Sequence, residues 1–181
     1  MKPITSFLFL LPLTVFLSLL PHLLAVDQTN STNLIAKACE NSSHKEFCVA
    51  SLESSPDSQN ADLPGLAFIA LKLASSNATD TATHISKVLG AGNLEPLFEQ
   101  ALTDCSEHYL DAIEQIDDSL AALTAKAYKD VESWVDVALS DAQACEEGFK
   151  GQDGDALALT RRNRVFRQLC NNALVINKLL A

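Results

Sequence analysis

Between Tyr128 and Phe149 the apolar side chains fall at strict intervals of three and four: Tyr128, Val131, Val135, Ala138, Ala142, Cys145 and Phe149. That spacing marks one stripe of an α-helix. Three further segments carry stripes of the same kind. Leu66, Ile69, Leu73, Ala78, Ile85 and Val88 follow Asp62, a good N-cap, and Pro64, which suits a first turn. Gly90 and Gly92 stop this helix, and Ser75-Ser76-Asn77 marks a possible kink in its middle. Phe98, Leu102, Cys105, Tyr109, Ala112, Ile116, Leu120 and Leu123 define a second helix over about 94–123. The third runs over about 127–149. Leu159, Phe166, Leu169, Ala173, Ile176 and Leu180 define a fourth over 155–180, after the stop at Gly148, Gly151 and Gly154. Stripes of this spacing pack at shallow crossing angles, and short connections make neighbours antiparallel. The expected fold is all-α, an up-down-up-down four-helix bundle.

The cysteines supply a geometric check. With the turn between the second and third helices near Thr124–Ala125, Cys105 and Cys145 lie nearly equal distances from it, each about 30 Å away. Both stand on apolar stripes, so a Cys105–Cys145 disulfide is expected. Cys39 and Cys48 then pair locally and pin two short helical pieces, 34–38 and 46–52, into an N-terminal hairpin. Cys170 is left as a buried, inert thiol, with an intermolecular bridge as the alternative. No CxxC and no paired histidine accompanies any cysteine, so no metal site is expected.

Residues 1–25 read as a secretory signal peptide: Lys2, an apolar run from Phe7 to Leu20, and Ala25 at the cut. A signal anchor is the rival reading, and Pro21 and His22 interrupt the run before it reaches a clean spanning length. The remaining boundaries are a polar leader over 26–33, the hairpin and linker over 34–60, and the bundle over 61–181. Secretion fits disulfides and three glycosylation sequons at Asn30, Asn41 and Asn77. The destination expected is outside the cell. Loss of the signal peptide removes Lys2 and no acid, making the chain one unit more negative than its full-length −10. Such a surface disfavours nucleic acid, anionic membranes and polyanionic polysaccharides such as demethylated pectin, and favours neutral or basic proteins.

Enzyme chemistry finds little support. His44, His84 and His108 fall into no triad-like or metal-binding pattern. Asp117-Asp118 and Glu146-Glu147 are adjacent in sequence, so each pair diverges by about 100° on a helix and cannot face one substrate atom. Arg161, Arg162 and Arg164 form a basic cluster. Arg162 is expected on the inward side, paired with an acid at the bundle end, and a partner contact is the alternative. No cofactor is implied. A helical bundle that carries a small molecule is a remote alternative, opposed by stripes of closing size.

Cys39-(eight residues)-Cys48 followed by SSPDSQNADLPGLAFIALKLA resembles the hairpin and first bundle helix of plant pectin methylesterase inhibitors and invertase inhibitors. LTDCSEHYLDAIEQIDDSL and YKDVESWVDVALSDAQACEEGFKG are similar to the family's second and third helices, and LCNNALVINKLL to its last. The resemblance spans 34–180. It implies a stoichiometric protein inhibitor, not an enzyme, acting in the cell wall (apoplast) or alternatively the vacuole, on pectin methylesterase by capping its cleft or on acid invertase by blocking its sucrose site. In the invertase branch a Pro-Lys-Phe tripeptide near the turn between the second and third helices enters the active site. Tyr128-Lys129-Asp130 stands at that place here and keeps only the lysine. The pattern of Tyr128, Trp134 and Ala138, with Leu169-Cys170, is closer to the pectin methylesterase branch, which makes that enzyme the favoured partner, at 1:1. The resemblance places the contact near that turn, and the polar positions off the stripes there are Asp118, Lys126, Lys129, Glu132 and Asp136.

Overall fold

Cys39 and Cys48 close the first unit of the fold. The structure, a computed structural model, describes residues 33–150 and 156–181. The signal peptide over 1–25, the leader up to residue 32, the Asn30 sequon, Gly151 and Gly154 lie outside the described residues. Helical turns over 33–38 (α1) and the helix Lys45–Glu53 (α2) flank a tight turn. The Cys39–Cys48 disulfide spans it with a Cα separation of 5.7 Å. Ile35, Ala38, Cys39, Cys48 and Leu52 are buried, so the hairpin contributes to the core. Ser42 in the turn donates its hydroxyl to Asn172 Oδ1 at 2.9 Å, anchoring the hairpin to the last helix.

A 3-10 turn over Pro56–Asn60 leads to the long helix Leu63–Ala91 (α3). Asp62 caps it, its Oδ1 accepting from the Gly65 amide at 2.9 Å. At Ser75-Ser76-Asn77, where the sequence leaves a kink or break open, α3 continues without a break. Ala74, Ala78, Thr81 and Ile85 are fully buried on this stretch. The hydroxyls of Thr79 and Thr81 turn back onto the carbonyls of Ser75 and Asn77, which keeps their polar groups within the helix. Burial against two neighbouring helices outweighs the weak local propensity. Gly92 takes φ 68° where α3 ends.

The remaining helices are Pro96–Thr124 (α4), Tyr128–Gly148 (α5) and Ala156–Asn177 (α6). Glu95 caps α4, its Oε2 accepting from the Leu97 and Phe98 amides at 3.0 and 3.1 Å. The helices pack in a ring, α3 against α4, α4 against α5, α5 against α6 and α6 back against α3. This is the up-down-up-down bundle, with no strand among the described residues. Five of the six stripe positions in α5, all but Tyr128, are buried, as is Phe149 just past its end. The Cys105–Cys145 disulfide joins α4 to α5 with a Cα separation of 4.4 Å, and Cys170 is a fully buried free thiol. No helix among the described residues is long and apolar enough to cross a membrane.

Candidate inhibitory surface

The connection between α4 and α5 is short because α4 ends in a Schellman motif. The Ala127 amide donates to the Ala122 carbonyl at 2.9 Å and the Lys126 amide to Leu123 at 3.0 Å. Lys126 occupies the left-handed position of this motif, with φ 58°, where glycine is usual. Its side chain is exposed at the apex of the turn. The first residue of α5 is tied down from another direction. Asn177 donates its side-chain amide to the Tyr128 carbonyl at 2.8 Å, so the end of α6 braces the start of α5. The apex therefore rests on three helices.

Around this rigid apex, Asp118, Lys129 and Asp136 are exposed. Glu132 is only half-exposed, and its carboxylate lies 3.6 Å from Lys178 at the end of α6. The five polar positions thus share one end of the bundle but not one face. Glu132 looks toward α6, whereas Trp134, two residues on, stands about 200° around the helix. Trp134 is 39% exposed and Val137 43% exposed, three residues apart on the outer face of α5. They make an exposed apolar pair that lies outside the five polar positions. The signal was present in the sequence, because neither residue belongs to the stripe of Val131, Val135 and Ala138.

Other residues singled out in the sequence go to separate partners. Asp117 accepts from the Ser75 hydroxyl at 3.5 Å, while Asp118 faces solvent. Glu146 pairs with Arg167 at 3.2 Å, and exposed Glu147 lies 3.8 Å from Lys150. Hydrogen bonding from Gln143 and the charge of Lys150 hold the Glu147 carboxyl below its ordinary range. Arg162 is half-buried, and its Nη1 reaches the Asp80 main-chain carbonyl at 3.5 Å instead of an acid. The inward position is its neighbour Asn163, which is fully buried. His108 Nδ1 lies 3.3 Å from Asp141 Oδ1 across the α4–α5 interface. Burial pushes the Asp141 carboxyl up, opposed by His108, and its Oδ2 is buried without a hydrogen-bond partner. No group of three or more His, Cys, Asp or Glu among the described residues could hold a metal ion.

Residues 33–176 match the family described as plant invertase/pectin methylesterase inhibitor. The chain belongs to this family. The family is one of protein inhibitors, not of catalysts. Among the relatives, a Platanus orientalis protein provisionally named an invertase inhibitor is 35% identical over 135 residues, covering 75% of this chain and 79% of that one. The cell wall / vacuolar inhibitor of fructosidase 2 of Arabidopsis thaliana is 31% identical, covering 92% of each chain. A pectinesterase inhibitor of Actinidia deliciosa is 29% identical, covering 96% of this chain and 92% of its own. The crystal structure of a mutant Arabidopsis pectin methylesterase inhibitor superposes with a TM-score of 0.71 at 24% identity, covering 79% of this chain and 94% of that one. That likeness concerns the fold.

Proposed function

We propose that this family member is a secreted inhibitor that docks 1:1 over the substrate cleft of a plant pectin methylesterase. The observation that carries the reading is the exposed Trp134–Val137 pair on the outer face of α5, the helix that leaves the braced turn where Lys126 and Lys129 are exposed. A tryptophan that docking would bury is a frequent energetic centre in protein interfaces. Rigid helices lose little freedom on docking, so such a centre converts efficiently into affinity. The net charge of −10 steers encounter toward a basic enzyme and makes association sensitive to salt. Inhibition by this route needs no reacting group on the inhibitor. Signal cleavage after Ala25 delivers the chain to the cell wall, and its two disulfides suit that oxidising compartment.

Acid invertase is the second reading. It is favoured by the names of relatives at 31% and 35% identity. The Tyr128-Lys129-Asp130 sequence at the turn keeps one residue of the tripeptide expected for that target. Titrating both enzymes with the purified chain separates the readings.

A further inference from the structure

All four arginines of the chain lie within seven residues of one helix: Arg161, Arg162, Arg164 and Arg167. In a protein of net charge −10 this concentration is a local reversal of sign. Three of them, Arg161, Arg164 and Arg167, line an open groove of about 650 Å³ between α5, α6 and the α1–α2 turn. Its volume lies in the range of pockets that hold small organic ligands. His44 stands on the turn side and Glu146 on the α5 side. Both walls are fixed in place. The Cys39–Cys48 disulfide and the Ser42–Asn172 hydrogen bond hold the turn against α6. The Arg167–Glu146 pair at 3.2 Å joins α6 to α5 and neutralises one guanidinium.

Arg161 and Arg164 are exposed, and neither forms an ion pair among the described residues. Like charges three residues apart on a helix repel one another. Among the described residues, folding therefore gains no ion pair from Arg161 or Arg164, and the ladder winds around α6 by about 60° at each step of three. Guanidinium groups pair with planar carboxylates through two parallel hydrogen bonds. The side-chain amides of Gln168 and Asn171 line the same groove and suit sugar hydroxyls.

We infer that this groove is a second binding site, separate from the α4–α5 turn, for a short run of a carboxylated polysaccharide, a chain of uronic acids. De-esterified pectin has this chemistry: each sugar in turn presents one planar carboxylate and free hydroxyls. The source of the ligand rests on the pectin methylesterase reading, because that enzyme converts methyl esters into these carboxylates. The inhibitor would then be retained on the wall polymer where the enzyme has already worked. The overall negative charge opposes binding along the whole surface and confines it to the groove.

The test is calorimetric titration of the purified protein at low salt with hexagalacturonate, its fully methyl-esterified form and inorganic phosphate. The acid form is expected to bind at one site, with the ester and phosphate at least tenfold weaker. Arg161→Gln with Arg164→Gln should weaken binding at least tenfold, since each lost charged pairing is worth roughly that factor. Lys72→Gln with Lys87→Gln, an equal loss of charge on exposed positions of α3, should leave binding within twofold. Absence of binding, equal affinity for the ester or phosphate, or an equal effect of the lysine pair overturns the inference. Enzyme inhibition measured on the same samples separates the two claims. A chain that binds hexagalacturonate but inhibits nothing sinks the proposed function alone. One that inhibits in an arginine-dependent way but ignores the oligomer makes the groove a protein-docking face and overturns the site.

Discussion

The Tyr109 hydroxyl donates to Asn163 Oδ1 at 2.6 Å, joining α4 to α6 diagonally across the bundle. Both residues are fully buried, and the Tyr109 ring lies 5.7 Å from that of Phe166. The Asn163 amide also faces Cys145 Sγ at 3.6 Å, so the diagonal bond sits at the level of the α4–α5 disulfide. Burial pushes the Tyr109 phenol well above its ordinary range, which keeps it a donor at any pH the fold survives. Tyr109→Phe conserves the shape and strands the asparagine oxygen. A loss of about 1–3 kcal/mol in unfolding free energy is expected by denaturant titration. Tyr109→Phe with Asn163→Leu should cost less than the sum of the two single changes.

The Cys105–Cys145 bridge closes a loop of 40 residues. In the chain-entropy model this is worth about 4 kcal/mol, against about 2.5 kcal/mol for the shorter Cys39–Cys48 loop. Replacing Cys105 and Cys145 with alanine should therefore lower the thermal midpoint more than replacing Cys39 and Cys48. Burial pushes the Cys170 thiol far up, so alkylation of the native protein should leave it unmodified until denaturant is added.

Asp141 carries a pH dependence of definite sign. Burial raises its carboxyl above the ordinary 3.8, and the nearby Asp111 adds to the rise, while His108 works against both. A carboxyl raised on folding contributes stability that is complete below 3.8 and is lost as the pH climbs past its folded value. Asp141→Asn keeps a polar partner for His108 and removes the buried charge. Relative to the native chain, the variant should gain stability toward neutral pH and lose that advantage as the pH falls into the carboxylate range. Thermal midpoints at a series of pH values check the crossing trend.

The contact surface is tested by truncating its centre. Trp134→Ala should weaken inhibition by a factor of about 30 or more, corresponding to an energetic centre worth roughly 2 kcal/mol. Leu97→Ala removes a more exposed side chain, 73% accessible, at the opposite end of α4 and should leave inhibition unchanged. Lys129→Ala with Glu132→Ala should weaken it less than Trp134→Ala. Glu132 is engaged with Lys178 and lies toward α6, which leaves Lys129 as the main loss. Inhibition curves for the three variants, read against unchanged circular dichroism, settle the ranking.

The bundle was legible because its pattern is repetitive: Val131, Val135, Ala138, Ala142 and Cys145 repeat one helical face until only one period fits. Ser75-Ser76-Asn77 leaves a kink open because propensity is local, whereas α3 is held by buried neighbours such as Ala74 and Ala78. Asn163 hid for a related reason. Polar residues are read as outward, and only the Tyr109 hydroxyl across the core makes an inward asparagine favourable. His108–Asp141 and Glu132–Lys178 depend on the register between helices, which no single segment encodes. At the candidate surface, the turn and its lysines could be placed from the family resemblance. The exposure of Trp134 was legible as well, since it stands off the stripe of Val131, Val135 and Ala138.

The central claim is inhibition of pectin methylesterase by docking. Increasing amounts of the purified protein should be added in parallel to a plant pectin methylesterase and an acid invertase at fixed concentration, with residual activity followed. Pectin methylesterase activity is expected to fall linearly to its floor near one inhibitor per enzyme, with invertase untouched. Loss of invertase activity alone would contradict the choice of target, and no effect on either enzyme would contradict the inhibitor reading itself.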